Sequence, residues 1–193
     1  MNNTEPTILK RVEDLGYAVF RAGIYNLNII GVRSPSRESG KFDDSLHCVY
    51  KDEYGNWIDL QFQITTDAGL AYMHDPMKIT GTAILKAGQY RSAYKLGKHR
   101  GQYDALVQIG KVTICRDANK DDILDHDPAT LTEGYFGINI HRASSSVESI
   151  NVGKWSAGCQ VFSDPNEFAM FIALCKKSAS IWGETFTYTL IED

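Results

Sequence analysis

The stretch Phe136-Gly-Ile-Asn-Ile-His141 runs through Arg142 and a polar segment to Gly153-Lys-Trp-Ser-Ala-Gly-Cys-Gln160, and its reading decides both fold and chemistry. The first part is a short apolar run punctuated by glycine, the pattern of a buried strand. The last part delivers a thiol, Cys159, behind the small, flexible approach Ser156-Ala157-Gly158. His141 precedes Cys159 by eighteen residues. The polar Ser144–Asn151 segment between them reads as an excursion that lets the two ends meet. A thiol must be deprotonated to attack, and an imidazole within hydrogen-bond reach is the usual base. Gly158 permits a tight backbone approach and a positive φ. The N–H groups of Gly158 and Cys159 then suit an oxyanion hole. Attack on a peptide carbonyl gives a thioester, which water or an amine resolves.

Outward from this stretch, the chain alternates short strands with a few helices. Residues 7–20 predict a helix with Leu9, Val12 and Leu15 or Tyr17 on one side, and residues 24–33 a strand. Leu46–Tyr50 and Trp57–Thr65 form a hairpin pattern around Asp52–Asn56. In its second arm Ile58, Leu60, Phe62 and Ile64 alternate with polar residues, as in a half-buried strand. Met77–Leu85 leads to a turn at Lys86–Gln89, and Gly97–Gly101 breaks the strand pattern of residues 90–96. Ala105–Ile109 and Lys111–Arg116 read as another hairpin. Asp164-Pro165 opens a helix with Phe168, Phe171, Ile172 and Cys175 at helical spacing, and Phe186–Ile191 is a final strand. The fold class is α+β, mainly β with a few helices.

Composition limits the function. The 193 residues, 43% of them hydrophobic, suffice for one domain with a sizeable core. A net charge of -4 argues against non-specific nucleic-acid binding, which wants a basic face. No apolar run reaches membrane-spanning length. Met1–Pro6 lacks the basic start and apolar stretch of a signal peptide. The expectation is cytoplasmic synthesis, with release to a cell wall by lysis or another route. Cys48, Cys115 and Cys175 sit in apolar contexts and read as buried small hydrophobes, without zinc-ligand spacing.

Two further segments carry candidate residues. Lys95-Leu-Gly-Lys98-His99-Arg100-Gly101 gathers cations and an imidazole around glycines, with Tyr94 and Tyr103 nearby. Such a loop suits carboxylates, because a guanidinium can fork onto them. Asp117–Asp125 places acidic and amide residues at alternate positions, as in a calcium loop. Asp122 and Pro128 stand where that pattern wants Gly and Glu, so a polar loop is expected rather than a metal site. No cofactor is expected, and the sequence leaves the oligomeric state open.

The His141–Cys159 segment resembles the catalytic motif of the L,D-transpeptidases of peptidoglycan. That family has a His, an intervening loop, then Ser/Thr-His-Gly-Cys and often an Arg. His141, Ser156, Gly158 and Cys159 match; Ala157 replaces the second His, Gln160 the Arg, and Arg142 the small residue after the first His. The wider pattern resembles more closely a group of Bacteroidetes and prophage proteins of this type. The resemblance implies an L,D-transpeptidase-like β-sandwich or closed mixed sheet. It implies one domain over residues 1–193, with residues 1–76 as an N-terminal elaboration packed on the catalytic part. It implies a cysteine transferase or hydrolase of the cell wall, acting as a transpeptidase, carboxypeptidase or endopeptidase. A prophage setting favours hydrolysis during lysis, as an endolysin. The catalytic set is Cys159, His141, Ser156 and Gly158. The substrate-binding set is Arg142, Trp155, Gln160, Lys98, His99, Arg100 and Tyr94, and the partner is a peptidoglycan peptide. Two alternatives stay open: a non-enzymatic wall or phage structural protein that keeps the fold, which Ala157 favours, and an unrelated cysteine peptidase or amidase.

Overall fold

The computed structural model describes residues 3–193; Met1 and Asn2, where the leader reading begins, lie outside them. In chain order the elements are α1 (Thr7–Asp14), β1 (Asn28–Arg33), β2 (Asp44–Lys51), β3 (Trp57–Thr65), α2 (Leu70–His74) and β4 (Thr82–Leu85). There follow β5 (Gly88–His99), β6 (Tyr103–Gln108), β7 (Val112–Asp117), β8 (Thr132–Gly134) and β9 (Ile140–Arg142). The chain closes with β10 (Gln160–Phe162), α3 (Pro165–Trp182) and β11 (Thr185–Glu192). No described helix is long and apolar enough to cross a membrane.

Eight strands close into a barrel in the order β1-β11-β5-β6-β9-β10-β3-β2. The pairs β1·β11 and β9·β10 are parallel, and the other neighbours are antiparallel. A smaller antiparallel sheet, β4-β7-β8, lies outside the ring. The fold is therefore mainly β with a closed mixed sheet.

Alternation along the strands builds the core. Ile29 of β1 joins the main cluster with Leu46, Tyr94, Leu106, Ile140, Phe162 and Tyr188, while Ile30 and Val32 face the other way. Ile8, Leu9 and Val12 of α1 cover that outer face, so β1 is buried throughout and reads as an unbroken apolar run. Each such side chain contributes about 1.5–3 kcal/mol when fully buried. Helix α3 starts where Asp164 accepts a hydrogen bond from the Asn166 N–H at 2.7 Å, with Pro165 in its first turn. Its Phe168, Phe171, Ile172 and Cys175 complete the main cluster.

Several sequence readings are corrected. Residues 1–76 are not an elaboration on a separate catalytic part: they supply β1, β2 and β3, without which the ring is open. The 7–20 helix stops at Asp14, because Gly16 turns the chain with φ 80°. β6 and β7 do not pair with each other. The Ile109 and Gly110 N–H groups both bond to Ala93 O, at 2.7 and 3.0 Å, and this turns the chain out of the ring. Gly97 does not break β5, which continues to His99; the turn comes at Arg100 and Gly101, both at positive φ.

Candidate active site

Strands β9 and β10 bring the two ends of the motif together. They run parallel with Gln160 beside Ile140 and Val161 beside His141. Ile140 faces the barrel core, so Gln160 does too, and His141 and Val161 face outward. Cys159, one residue before Gln160, falls on the outward side with His141. Its Sγ accepts from the Asn139 N–H at 3.4 Å and lies 3.4 Å from Gly137 O. It makes no hydrogen bond to His141 in this structure.

The turn before Cys159 is fixed by Ser156. Its hydroxyl donates to Cys159 O at 2.8 Å and accepts from the Gly158 N–H at 3.1 Å. The Ser156 carbonyl accepts from the Gly69 N–H at 2.9 Å, tying the turn to the start of α2. Gly158 has φ 114°, and a Cβ there would stand 2.4 Å from Ala83 O of β4. Glycine is thus required both by conformation and by space. Because the Gly158 N–H is spent on Ser156, the two-donor oxyanion hole expected from the sequence reduces to the Cys159 N–H.

His141 is held from behind. Its Nδ1 lies 2.8 Å from Arg142 O and so donates there, leaving the lone pair on Nε2. Tyr103 donates to the same carbonyl at 3.1 Å. His99 stacks on His141 with ring centroids 3.9 Å apart and an interplanar angle of 26°. The Asn139 amide lies 3.2 Å from His99 Nδ1, and its oxygen accepts from the Gln108 N–H at 2.9 Å. That bond orients the Asn139 amide as a donor to His99, so His99 carries its proton on Nε2.

Burial sets the charge states. It pushes the His141 pKa down to about 3, aided by His99 and the guanidinium groups of Arg100 and Arg142. Burial also raises the Cys159 thiol, against the smaller opposing pull of the Asn139 N–H and Arg100. At neutral pH the pair is a neutral thiol beside a neutral imidazole. A thiolate beside a protonated His is therefore not the resting state.

Two depressions flank the pair. The first, about 310 Å³, is lined by Cys159, His141, Asn139, Lys78, Arg100 and Arg116 among others. The second, about 370 Å³, lies beyond His141 and carries Arg100, Arg142, Lys154 and Tyr103. They share His99, Arg100, His141 and Trp155. No carboxylate lines either one. The Arg142 guanidinium lies 4.1 Å from the Tyr103 ring centroid, a cation–π contact. Trp155 is half exposed at the junction.

Arg142, Trp155, His99 and Arg100 of the expected binding set therefore reach the groove. Three others do not. Tyr94 is fully buried, edge-on to Tyr188 at 5.8 Å inside the barrel. Gln160 points inward, accepting from the Tyr188 hydroxyl at 2.8 Å and donating to Thr66 O and Gly158 O. Lys98 alternates away from His99 along β5 and pairs with Asp104 at 2.6 Å, as does Lys176. Asn139, Lys78 and Arg116 were missed, and Tyr103 was noted beside the basic loop but given no role. Asn139 had a signal, since it sits two residues before His141; Lys78 and Arg116 come from distant segments. In the Asp117–Asp125 loop, Asn119 donates to Asp121 and Asp125. Among the described residues no group of His, Cys, Asp or Glu is placed to hold a metal ion.

No family model, curated protein or solved structure matches the chain.

Proposed function

We propose that the protein is a cysteine acyl-transfer enzyme in which Cys159 attacks a peptide carbonyl and His141 is the base. The observation that carries this reading is the shared outward face of β9 and β10, where His141 and Cys159 line one depression. Sγ turns from the Gly137 carbonyl toward His141 as substrate enters. Its proton passes to Nε2 while sulfur bonds to the carbonyl carbon. The Arg142 carbonyl, already accepting from Nδ1–H, steadies the imidazolium that forms. The Cys159 N–H meets the developing oxyanion. Collapse expels the amine, which takes the proton from Nε2 and leaves a thioester. Water or a second amine then attacks, with His141 again taking and returning a proton.

The substrate we propose is a peptidoglycan stem peptide, as the resemblance to L,D-transpeptidases implies. Support comes from Lys78, Arg100, Arg116, Arg142 and Lys154, which line the groove without a facing carboxylate. Fully formed salt bridges hold other cations, such as Lys98 and Arg21, elsewhere. One observation favours a non-enzymatic binder: Sγ is bonded to Asn139 and Gly137 and not to His141.

Incubation with defined cross-linked and uncross-linked muropeptides, followed by mass spectrometry, separates the readings. The enzyme reading expects new peptide products and an acyl adduct on the peptide containing Cys159, both lost in Cys159→Ala. Binding without products or adduct gives the binder reading. Products that persist in folded Cys159→Ala refute the nucleophile.

A further inference from the structure

A second cavity, of about 330 Å³, shares no residue with the groove around Cys159. One wall is apolar, with Ile84, Leu85, Cys115 and Leu131. The other carries Arg33, Arg37 and Lys86 against a single carboxylate, Glu192. A neighbouring hollow shares Arg33, Arg37 and Glu192, so the depression extends past Arg33 to the surface.

Arg33 is 3% exposed. Its Nε donates to Thr66 Oγ1 at 3.0 Å, and its Nη2 donates to Leu85 O at 2.9 Å. Asp67 lies behind it, 3.1 Å from Nε. Only Nη1 is poorly satisfied, with one long contact of 3.5 Å to Glu192. The Glu192 side chain is 52% exposed, so it is free to turn to solvent. Among the described residues, the Arg37 and Lys86 side chains make neither a salt bridge nor a hydrogen bond. Three cations thus converge on a partly shielded space, and one of them is buried with a donor edge held only by a long bond to Glu192. Charge-assisted hydrogen bonds are strong in such surroundings. The volume is at the small end for ligand sites.

We infer that this cavity binds a small amphipathic carboxylate, its head on Arg33 Nη1, Arg37 and Lys86 and its short aliphatic tail on Ile84, Leu85 and Leu131. The site is separate from the acyl-transfer reading and stands without it. Arg37 and Lys86 are exposed, so their removal leaves the core intact.

The test titrates nitrogen-15-labelled protein with 4-methylpentanoate, 4-methylpentanamide and inorganic phosphate, following backbone amide shifts. The expected result is saturable shifts at Ile84, Leu85, Cys115 and Leu131 with the carboxylate, and binding at least about tenfold weaker for the amide and for phosphate. Arg37→Ala and Lys86→Ala should each weaken the carboxylate several-fold, and Cys159→Ala should leave it unchanged. No saturable shift with the carboxylate overturns the proposal. Equal binding by the amide overturns it as a merely apolar hollow, and equal binding by phosphate as a bare anion site. Unaltered affinity in both cation variants overturns it as well.

Discussion

Gly158→Ala tests the reasoning about the nucleophile's turn most directly. The residue has φ 114°, and a Cβ would meet Ala83 O at 2.4 Å and the Ala83 carbonyl carbon at 3.2 Å. Those are backbone atoms of β4, so no side chain can swing aside. An L-residue held in such a conformation carries about 1–3 kcal/mol of strain. Forcing a methyl into packed surroundings adds about 1–3 kcal/mol. A central expectation of about 3–4 kcal/mol is a large part of a typical stability of about 5–15 kcal/mol. For a chain of this size it lowers Tm by about 6–16 °C. Gly137→Ala is the control: its φ is 72° but nothing lies within 4 Å of the added carbon, so it carries the conformational part alone. Thermal unfolding measures the total, and the rate of iodoacetamide labelling at Cys159 reports whether the turn has moved. A Gly158→Ala protein with Tm within about 2 °C of wild type and unaltered labelling would refute the close approach of this turn to β4.

At neutral pH Cys159 should label before Cys48, Cys115 and Cys175: all four thiols are raised by burial, but among them only Cys159 is partly exposed. Its rate should climb with pH without a plateau near neutrality, and a plateau would show a thiolate the geometry does not provide. His141 has a folded pKa of about 3 against an ordinary 6.5, so its contribution to stability is present above pH 6.5 and lost as pH falls through the folded value. Urea midpoints should therefore drop between pH 7 and pH 4 more steeply in wild type than in His141→Gln; parallel slopes would mean that His141 titrates normally. Arg100→Ala should raise KM for an acidic stem peptide about tenfold with little change in kcat, and a pure kcat loss would assign Arg100 to the chemistry. Tyr188→Phe strips the donor from buried Gln160 Oε1 and should destabilise by about 1–3 kcal/mol in urea; a neutral variant would show that water replaces the hydroxyl.

Local patterns were legible where one face of a strand or helix is apolar. The Trp57–Thr65 strand and the Asp164-Pro165 helix start fall where their residues put them. Long-range pairing was not legible, since β6 and β7 look like a hairpin until Ala93 takes the Ile109 and Gly110 N–H groups. The juxtaposition of His141 with Cys159 was readable from one continuous stretch. Gln160 was misread because alternation sends it inward beside the nucleophile, a parity that the motif alone does not reveal. Lys98 was misread for the same reason relative to His99. The cations that do reach the groove come from segments as distant as Lys78 and Lys154, and only the closed ring brings them together.

The parallel seam between β1 and β11 has a kinetic consequence. Residues 29–33 wait for residues 188–192, so everything from β1 to β11 must emerge before the ring can seal. Such non-local closure makes folding slow and leaves intermediates with open strand edges. A nascent chain halted before residue 185 would offer the free sides of both β1 and β5, which β11 separates in the ring, as templates for intermolecular pairing. Holdase chaperones should therefore engage the growing chain until β11 appears, and truncations that remove β11 should aggregate rather than yield a smaller folded unit.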